Sequence, residues 1–457
     1  MSLFIKNNFV STGLIADVSR SVQRDAVLLF AAVTAGLLAT PILNIVFRAG
    51  VNMVPHDLAT DYVVGAVWAA LLGVGILLWP VPFVDRCVLL ALWVVKVGVA
   101  LGFMLFYEKN YSSLDAYGYF FGSIQPAFDW SQVRFGNGTG NLMALTWLHG
   151  RILPNSYHAL KITFAMVGLI AIYVFYRSAL IAGARSGLRL LVLLALVPSM
   201  LFWSSIVGKD PIILLGVAVY TYAVVKWVIG PTVAWLPIAL VGIAIASLIR
   251  IWLAPIMTLP LIVVAIRRDG SPMQKTVAFA IGIAAFVFAA SLFRQQFLQG
   301  STTDLVEAAN TYSQGWAQGG SGQTLATPFS GIPSLIKFIP IGVFTALLRP
   351  LPGEVRNLFG WLAGIENLAF FLLAVVAIWR TRPADFKNPL VVWAISLVAS
   401  WAILYGFISY QNLGTGVRFR LQILPIFLLL LLYLARSRTE RNVGLARFTT
   451  RRPATQW

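Results

Sequence analysis

The sequence predicts an all-α, polytopic membrane protein with about twelve transmembrane helices. Of its 457 residues, 59% are hydrophobic and only 11% are charged, whereas soluble domains carry about 25% charged residues. The mean hydropathy is +0.82. Apolar runs long enough to cross a hydrocarbon layer of about 30 Å recur along the whole chain. These runs are continuous rather than alternating, which favours helices over strands.

Twelve apolar segments predict the membrane-spanning helices. They are residues 27–47, 62–80, 86–106, 159–176, 189–205, 211–229, 232–249, 252–266, 276–293, 361–379, 389–408 and 421–435. A further apolar stretch covers 332–348, but Lys337 and Pro340 interrupt it. We expect this stretch to lie in the outer interface or to re-enter the membrane. A thirteenth span is the competing interpretation.

The basic residues predict the orientation, because cytoplasmic loops of membrane proteins collect Lys and Arg. Residues 1–25 are expected to form a cytoplasmic amphipathic segment, or alternatively a disordered tail. The tail 436–457 carries six Arg and one Glu, and it is expected inside as well. The membrane domain, residues 26–435, then has two long outer loops, 107–157 and 294–360. A helical protein with this topology is expected in a bacterial cytoplasmic (inner) membrane, with both termini in the cytoplasm.

The net charge of +18 follows mainly from this topology, so nucleic acid is not an expected partner. The lone cysteine, Cys87, excludes an internal disulfide and a cysteine-based zinc site. The three histidines, His56, His149 and His158, show no metal-ligand spacing. Membrane lipids are therefore the first expected partners, and no protein metal site is predicted.

The first outer loop contains Asp115, followed by Tyr117 and Tyr119. A carboxylate at this position is suited to act as a general base toward an acceptor hydroxyl, or to hold a metal ion. The two tyrosines are suited to stack on a sugar ring. The alternative is a solvated loop acid among the tyrosines that commonly mark the membrane interface.

Several cations are predicted at the outer ends of the helices, where the positive-inside rule disfavours them. Lys209 and Asp210 form a short turn between two spans, followed by Pro211, which suits the first turn of a helix. The other outer cations are Arg250, Arg294, Arg349, Arg356, Arg418 and Arg420. Arginine pairs well with phosphate oxygens, so a shared anion site is expected. The alternative is a set of independent side chains that extend to the interface.

Glu366 lies inside a predicted span, one to two turns from its outer end. A carboxylate within the membrane is a functional candidate by default. It is equally suited to be the structural partner of an outer arginine.

The motifs around these residues resemble the GT-C class of membrane glycosyltransferases, in particular the dolichyl-phosphate-mannose protein mannosyltransferases and bacterial polyprenyl-phosphate-sugar-dependent relatives. The resemblance rests on Asp115 in its loop, on a half-buried helix at 141–147, and on a later span that contains Tyr173-Val-Phe-Tyr-Arg177. It also rests on a turn that ends in Lys209-Asp210 and on the Arg418-Phe-Arg420 segment that leads to Pro425. The family usually has two acids close together in the first loop, whereas Glu108 and Asp129 both lie well away from Asp115.

The resemblance implies a donor sugar carried on a polyprenyl phosphate or diphosphate, and a glycan or lipid-linked acceptor. It implies that Asp115 is the base and that Lys209, Arg250, Arg418 and Arg420 hold the lipid phosphate. Tyr117, Tyr119, Asp210, Arg349 and Glu366 complete the candidate substrate-binding residues. A divalent cation, Mg²⁺ or Mn²⁺, is the one cofactor that it would allow.

The leading hypothesis is therefore a polyprenyl-phosphate-dependent glycosyltransferase that acts on the outer face in cell-envelope glycan or exopolysaccharide assembly. A polysaccharide polymerase that joins lipid-linked repeat units is the second enzyme hypothesis. A transporter or flippase of a lipid-linked glycan is the hypothesis from another class. It predicts polar residues near the membrane midplane, whereas the middle parts of the spans here are mostly Leu, Val, Ile, Ala and Phe.

Overall fold

The structure is a computed structural model that describes residues 58–105, 108, 115–184, 187–230, 232–267, 271–297, 305–317, 321–323 and 328–436. Within these residues the regular elements are helices, and the one isolated β-bridge joins Gly322 to Asn412. The predicted all-α class is confirmed for this part of the chain. The N-terminal segment 1–25, the first predicted span 27–47 and nearly all of the tail 436–457 lie outside the described residues.

The chain divides into two compact units. Described residues up to Phe128, together with Met143–Met166, form the first unit. Asp129–Leu142 and the described residues from Val167 onward form the second. The α-helices of the first unit are α1 (Leu58–Ile76), α2 (Phe83–Val97), α3 (Asp115–Ile124), α4 (Gly138–Ile152) and α5 (Tyr157–Ile181). The first residues of α4 and the later residues of α5 belong to the second unit.

In the first unit, α1 and α5 approach each other closely at Gly65. A Cβ atom at this position would lie 2.4 Å from the Cβ of His158, so no side chain fits there. A second contact follows about one turn further along α1, where the Trp68 indole donates to the Thr163 hydroxyl at 2.9 Å. The start of α5 is thus fixed against α1.

The second unit contains twelve α-helices within the described residues. They are α6 (Gly187–Leu196), α7 (Pro198–Trp203), α8 (Lys209–Ile229), α9 (Trp235–Ile249), α10 (Leu253–Arg267), α11 (Pro272–Phe297), α12 (Leu305–Trp316), α13 (Ile332–Leu348), α14 (Leu358–Arg380), α15 (Pro389–Ser409), α16 (Leu413–Arg420) and α17 (Leu424–Leu434).

Among the described residues, five helices are long and apolar enough to cross a membrane. They are Phe83–Phe103, which combines α2 with a π-helical turn, and α5, α8, α14 and α15. The pair α16 and α17, bent by 76°, is a sixth if it counts as one broken span. Six shorter apolar helices lie in other predicted spans and in residues 332–348. The chain is accordingly a membrane-embedded helical protein.

Two predicted boundaries were wrong in detail. Residues 189–205 were expected to form one helix, but the helix stops at Leu196 and a new one starts at Pro198. Proline disfavours helical geometry in the preceding residue, and it suits the first turn of a new helix. Lys209 and Asp210 were expected in a turn, but they form the first residues of α8.

The helices α14 and α17 run in the same direction. At their C-terminal ends, the Arg380 guanidinium donates to the carbonyl oxygen of Ala435 at 2.6 Å. Near their N-terminal ends, Arg420, just before α17, approaches Glu366 of α14. The predicted spans at these positions require this parallel arrangement, because both begin on the same side of the membrane.

Candidate functional site: a basic cluster in the second unit

The short helix α16 brings together residues that are far apart in the sequence. Its N-terminus is capped by Asn412, whose side chain accepts from the Thr415 amide. Successive residues of a helix point about 100° apart, so Arg418, Phe419 and Arg420 each face a different neighbour. Their partners are Asp210, Arg250 and Glu366, respectively. We call Lys209, Asp210, Arg250, Glu366, Arg418 and Arg420 the basic cluster.

The pair of Arg418 and Asp210 is the centre of this cluster. The Arg418 Nε donates to Asp210 Oδ2 at 2.7 Å, and the Asp210 side chain is fully buried whereas that of Arg418 is 22% exposed. The guanidinium carbon lies 5.2 Å from the ring centre of Trp203. The other carboxylate oxygen of Asp210 is buried and has no hydrogen-bond partner. Asp210 thus holds one edge of a guanidinium that remains partly accessible.

Lys209 lies beside this pair, at the start of α8. Its ammonium donates to the hydroxyl of Thr139 at 2.9 Å. The segment that carries Thr139 is fixed by Asn141, whose side chain donates to the carbonyl oxygen of Leu248. A stretch of the first long loop therefore packs against the end of α9, directly before Arg250.

Arg250 is buried among aromatic rings. Its guanidinium carbon lies 3.8 Å from the ring centre of Phe419 and 5.4 Å from that of Trp252. Its Nε atom has no hydrogen-bond partner. Arg250 also interacts with the hydroxyl of Tyr405, which accepts a hydrogen bond from Trp252 at 2.7 Å. Within the part of the chain that the structure describes, Arg250 belongs to none of the ion pairs.

Arg420 is fully buried, and neighbouring polar groups hold its guanidinium. It donates to the carbonyl oxygen of Leu347 at 2.8 Å and to the side-chain oxygen of Asn367. Its guanidinium lies 3.8 Å from Glu366. Glu366 in turn accepts from the amide and the hydroxyl of Ser199, at 2.8 and 2.5 Å. Glu366 is thus a partner of Arg420, and its role as a functional carboxylate stays a prediction.

Arg349 makes its contacts outside the cluster. Its Nε atom donates to both carboxylate oxygens of Glu354, at 2.8 and 3.1 Å. Glu354 also accepts from the Leu351 amide. The charge of Arg349 is thus compensated within its own loop.

The remaining candidate residues belong to the first unit. Asp115 is exposed and is the first residue of α3. Tyr117 is half-buried, with its ring centre 5.2 Å from that of Tyr157. Burial and the nearby Glu108 carboxylate raise the pKa of Tyr117 to about 12. Tyr119 is buried, and its carbonyl oxygen accepts from Thr146 at 2.8 Å. Asp115 and the basic cluster therefore belong to different units.

The first unit also contains polar contacts that the sequence patterns did not predict. Glu108 accepts from the Tyr157 hydroxyl at 2.7 Å and pairs with the Lys161 ammonium at 2.9 Å. Asp61 accepts from the amide and from the Nδ1 atom of His158, at 3.1 and 2.6 Å. One signal in the sequence could have indicated the first of these contacts: Lys161 is a charged residue within an apolar span, and such residues are rarely without a partner.

Within the described residues, no three His, Cys, Asp or Glu side chains are grouped closely enough to hold a metal ion. Comparisons with known protein families, with curated proteins and with solved structures found no match.

Proposed function

We propose that the protein is a membrane glycosyltransferase that uses a polyprenyl-(di)phosphate-linked sugar donor. The observation that carries the proposal is the basic cluster, which gathers Lys209, Arg250, Arg418 and Arg420 against two carboxylates. Such an excess of positive charge at the ends of apolar helices suits a lipid with an anionic head group and a hydrocarbon tail. The acceptor is a glycan or a lipid-linked glycan of the cell envelope.

The cluster can stabilise a leaving phosphate. In the proposed transfer, the oxygen of an acceptor hydroxyl bonds to the anomeric carbon of the donor sugar. The bond between that carbon and the phosphate oxygen breaks, and the phosphate leaves with the electron pair. Arg418 and Lys209 stabilise the negative charge that develops on the phosphate. The proton of the acceptor hydroxyl passes to a general base. The sequence resemblance proposes Asp115 for this role, and a separate experiment tests it.

The topology that belongs to this proposal has about twelve spans in a GT-C-like arrangement. The reaction takes place on the outer face of the cytoplasmic membrane, with both termini in the cytoplasm. Five residues of the basic cluster fall at helix ends that the charge distribution predicts to be outside, and Glu366 lies within α14, one to two turns from the predicted outer end of its span. Arg380, at the far end of α14, is predicted to be inside.

The experiment is to identify the lipid that co-purifies with the protein by mass spectrometry. We expect a polyprenyl phosphate or diphosphate that carries a sugar. The amount bound should fall in Arg418→Ala and stay unchanged in Arg380→Ala, which removes an arginine at the opposite end of α14. A polyprenyl-diphosphate oligosaccharide would favour the second enzyme hypothesis, in which a polysaccharide polymerase uses the same site. If no polyprenyl lipid is found, or if both variants retain equal amounts, the proposal is wrong.

A further inference from the structure

Two exposed tryptophans mark the membrane depth along α14. Trp361 is 48% exposed and Trp379 is 82% exposed, and tryptophan is enriched at both membrane interfaces. The two residues are 18 positions apart, which is about 27 Å along a helix. This length matches a hydrocarbon layer of about 30 Å. Trp361 therefore marks the interface at the predicted outer end of α14, and the residues after it lie within the hydrocarbon layer.

The C-terminal end of α13 lies below this interface. Asn367, six residues beyond Trp361, donates to the carbonyl oxygen of Pro350 at 2.8 Å. Its side-chain oxygen accepts from Arg420, which also donates to the carbonyl oxygen of Leu347 at 2.8 Å. Six residues correspond to about 9 Å of helix. The end of α13 and the start of the following loop therefore lie about a third of the way into the hydrocarbon layer.

Helix α13 reaches this depth from the outer end of α15. The Phe338 ring centre lies 5.4 Å from that of Phe407 and 5.1 Å from that of Tyr410. One turn further along α13, a Cβ atom on Gly342 would lie 3.3 Å from the Cα atom of Gly406. Later residues of α13 thus contact earlier residues of α15, so the two helices run in opposite directions. Because α15 is predicted to end outside, α13 runs inward.

The loop that follows α13 returns along α14. A Cβ atom on Gly364 would lie 3.0 Å from the carbonyl carbon of Leu351. One turn closer to the start of α14, a Cβ atom on Gly360 would lie 2.5 Å from the Cβ atom of Val355. Asn357 then caps the helix, and its side chain accepts from the Gly360 amide at 2.7 Å. A thirteenth span would instead place the end of α13 at the opposite end of α14.

The tip of this hairpin carries charge that is not fully buried. Arg349 and Glu354 pair at 2.8 Å, and their side chains are 20% and 28% exposed. Glu354 also accepts from the Leu351 amide at 2.6 Å, which places its carboxylate near the level of Gly364, three residues beyond Trp361. Charged side chains and irregular backbone at membrane depth are tolerated where they face protein or water rather than lipid.

We propose that residues 332–357 form a re-entrant hairpin whose tip lines a water-filled crevice, open to the outer face. The crevice admits small hydrophilic solutes from the outer aqueous phase to a depth below the outer interface. Asn367 contacts both Pro350 at the tip and Arg420 of the basic cluster, so the crevice leads toward the cluster. The inference concerns the path of polar solutes, and it stands independently of the proposed transfer reaction.

The test measures how fast introduced cysteines react with a positively charged, membrane-impermeant thiosulfonate reagent. The reagent is added outside sealed, right-side-out vesicles that contain the full-length protein, and every variant also carries Cys87→Ser. Leu351 and Ile365 lie at nearly the same depth, since Leu351 lies beside Gly364, but Ile365 is an apolar residue with 58% exposure on a membrane span. We expect Leu351→Cys to react at least about tenfold faster than Ile365→Cys, because a thiol in lipid forms little of the reactive thiolate.

A second variant at the tip keeps the test independent of any one substitution. Pro352 also lies beside Gly364, so Pro352→Cys should react about as fast as Leu351→Cys, and thermal unfolding shows which variants are folded. Equal rates at the tip and at Ile365→Cys would overturn the inference, because the two positions would then share one environment. Folded variants in which both tip cysteines stay unreactive would overturn it as well.

Discussion

Arg418 donates a hydrogen bond to Asp210 across a distance of 2.7 Å, although 208 residues separate them in the sequence. The contact joins the start of α8 to α16, directly before the last described helix. The Asp210 side chain is fully buried, whereas that of Arg418 is 22% exposed. Removing one partner should therefore lower the free energy of unfolding by a different amount than removing the other.

Arg418→Gln should destabilise the protein more than Asp210→Asn. Removing the arginine leaves a fully buried carboxylate without its partner, which costs about 3–5 kcal/mol. Removing the carboxylate leaves an arginine that can turn toward water. The double variant should recover part of the loss, and thermal unfolding in detergent measures all three. Additive losses would show that the pair is not coupled.

Arg420→Lys should lower stability and leave lipid binding unchanged. A lysine cannot reproduce the fork of donors that reaches Leu347, Asn367 and Glu366. Thermal unfolding and lipid binding are measured on the same preparation. A variant of normal stability that fails to bind lipid would instead make Arg420 a ligand of the phosphate.

Asp115→Asn should abolish transfer and leave the fold and lipid binding intact, because the exposed side chain contributes little to packing. Asp129→Asn is the matched control. Asp129 is also exposed, but it accepts from the Ser131 amide within its own turn. Full activity of Asp115→Asn in a transfer assay would exclude it as the general base.

Gly242→Ala should destabilise the second unit by about 1–3 kcal/mol, as overpacking does. Helices α8 and α9 cross so closely that the new Cβ would lie 2.5 Å from the Tyr220 amide and 2.7 Å from the Gly216 carbonyl oxygen. Gly75→Ala is the control, because nothing lies within 4 Å of its added Cβ. Equal melting temperatures for the two variants would argue against this helix crossing.

His149 and His158 should carry their protons on different ring nitrogens. The Thr163 hydroxyl donates to the Ala159 carbonyl oxygen, so it accepts from His149 Nε2 at 2.8 Å. His158 instead donates from Nδ1 to Asp61. Burial lowers the pKa of His149 to about 4, so that ring should stay neutral at pH 6. Nitrogen NMR of histidine-labelled protein, assigned with His→Gln variants, reads both rings. The same tautomer in both would contradict these contacts.

The positions of the helices were largely predictable, because apolar runs record burial in lipid directly. Even the interrupted stretch 332–348 forms a helix with those bounds. The break at Val197 was signalled by Pro198. The neutralisation of Arg349 by Glu354, five residues away, was also within reach of the sequence.

The partners of the cluster were not predictable from one sequence. Outer cations were expected to share a site, but nothing in the spacing assigns Asp210 to Arg418 or Glu366 to Arg420. The same holds for Glu108 and Lys161, which are 53 residues apart. These pairs depend on how the helices pack, and a hydropathy pattern gives the length of a helix without naming its neighbours.

We propose that the basic cluster binds the phosphate of a polyprenyl lipid. Electron cryomicroscopy of the protein in nanodiscs that contain polyprenyl diphosphate tests this most directly. We expect phosphate density beside the start of α8, with oxygens about 2.7–2.9 Å from the Arg418 guanidinium nitrogens. Phosphate density at another surface, with the Arg418 and Asp210 side chains unchanged and no ligand beside them, would contradict it.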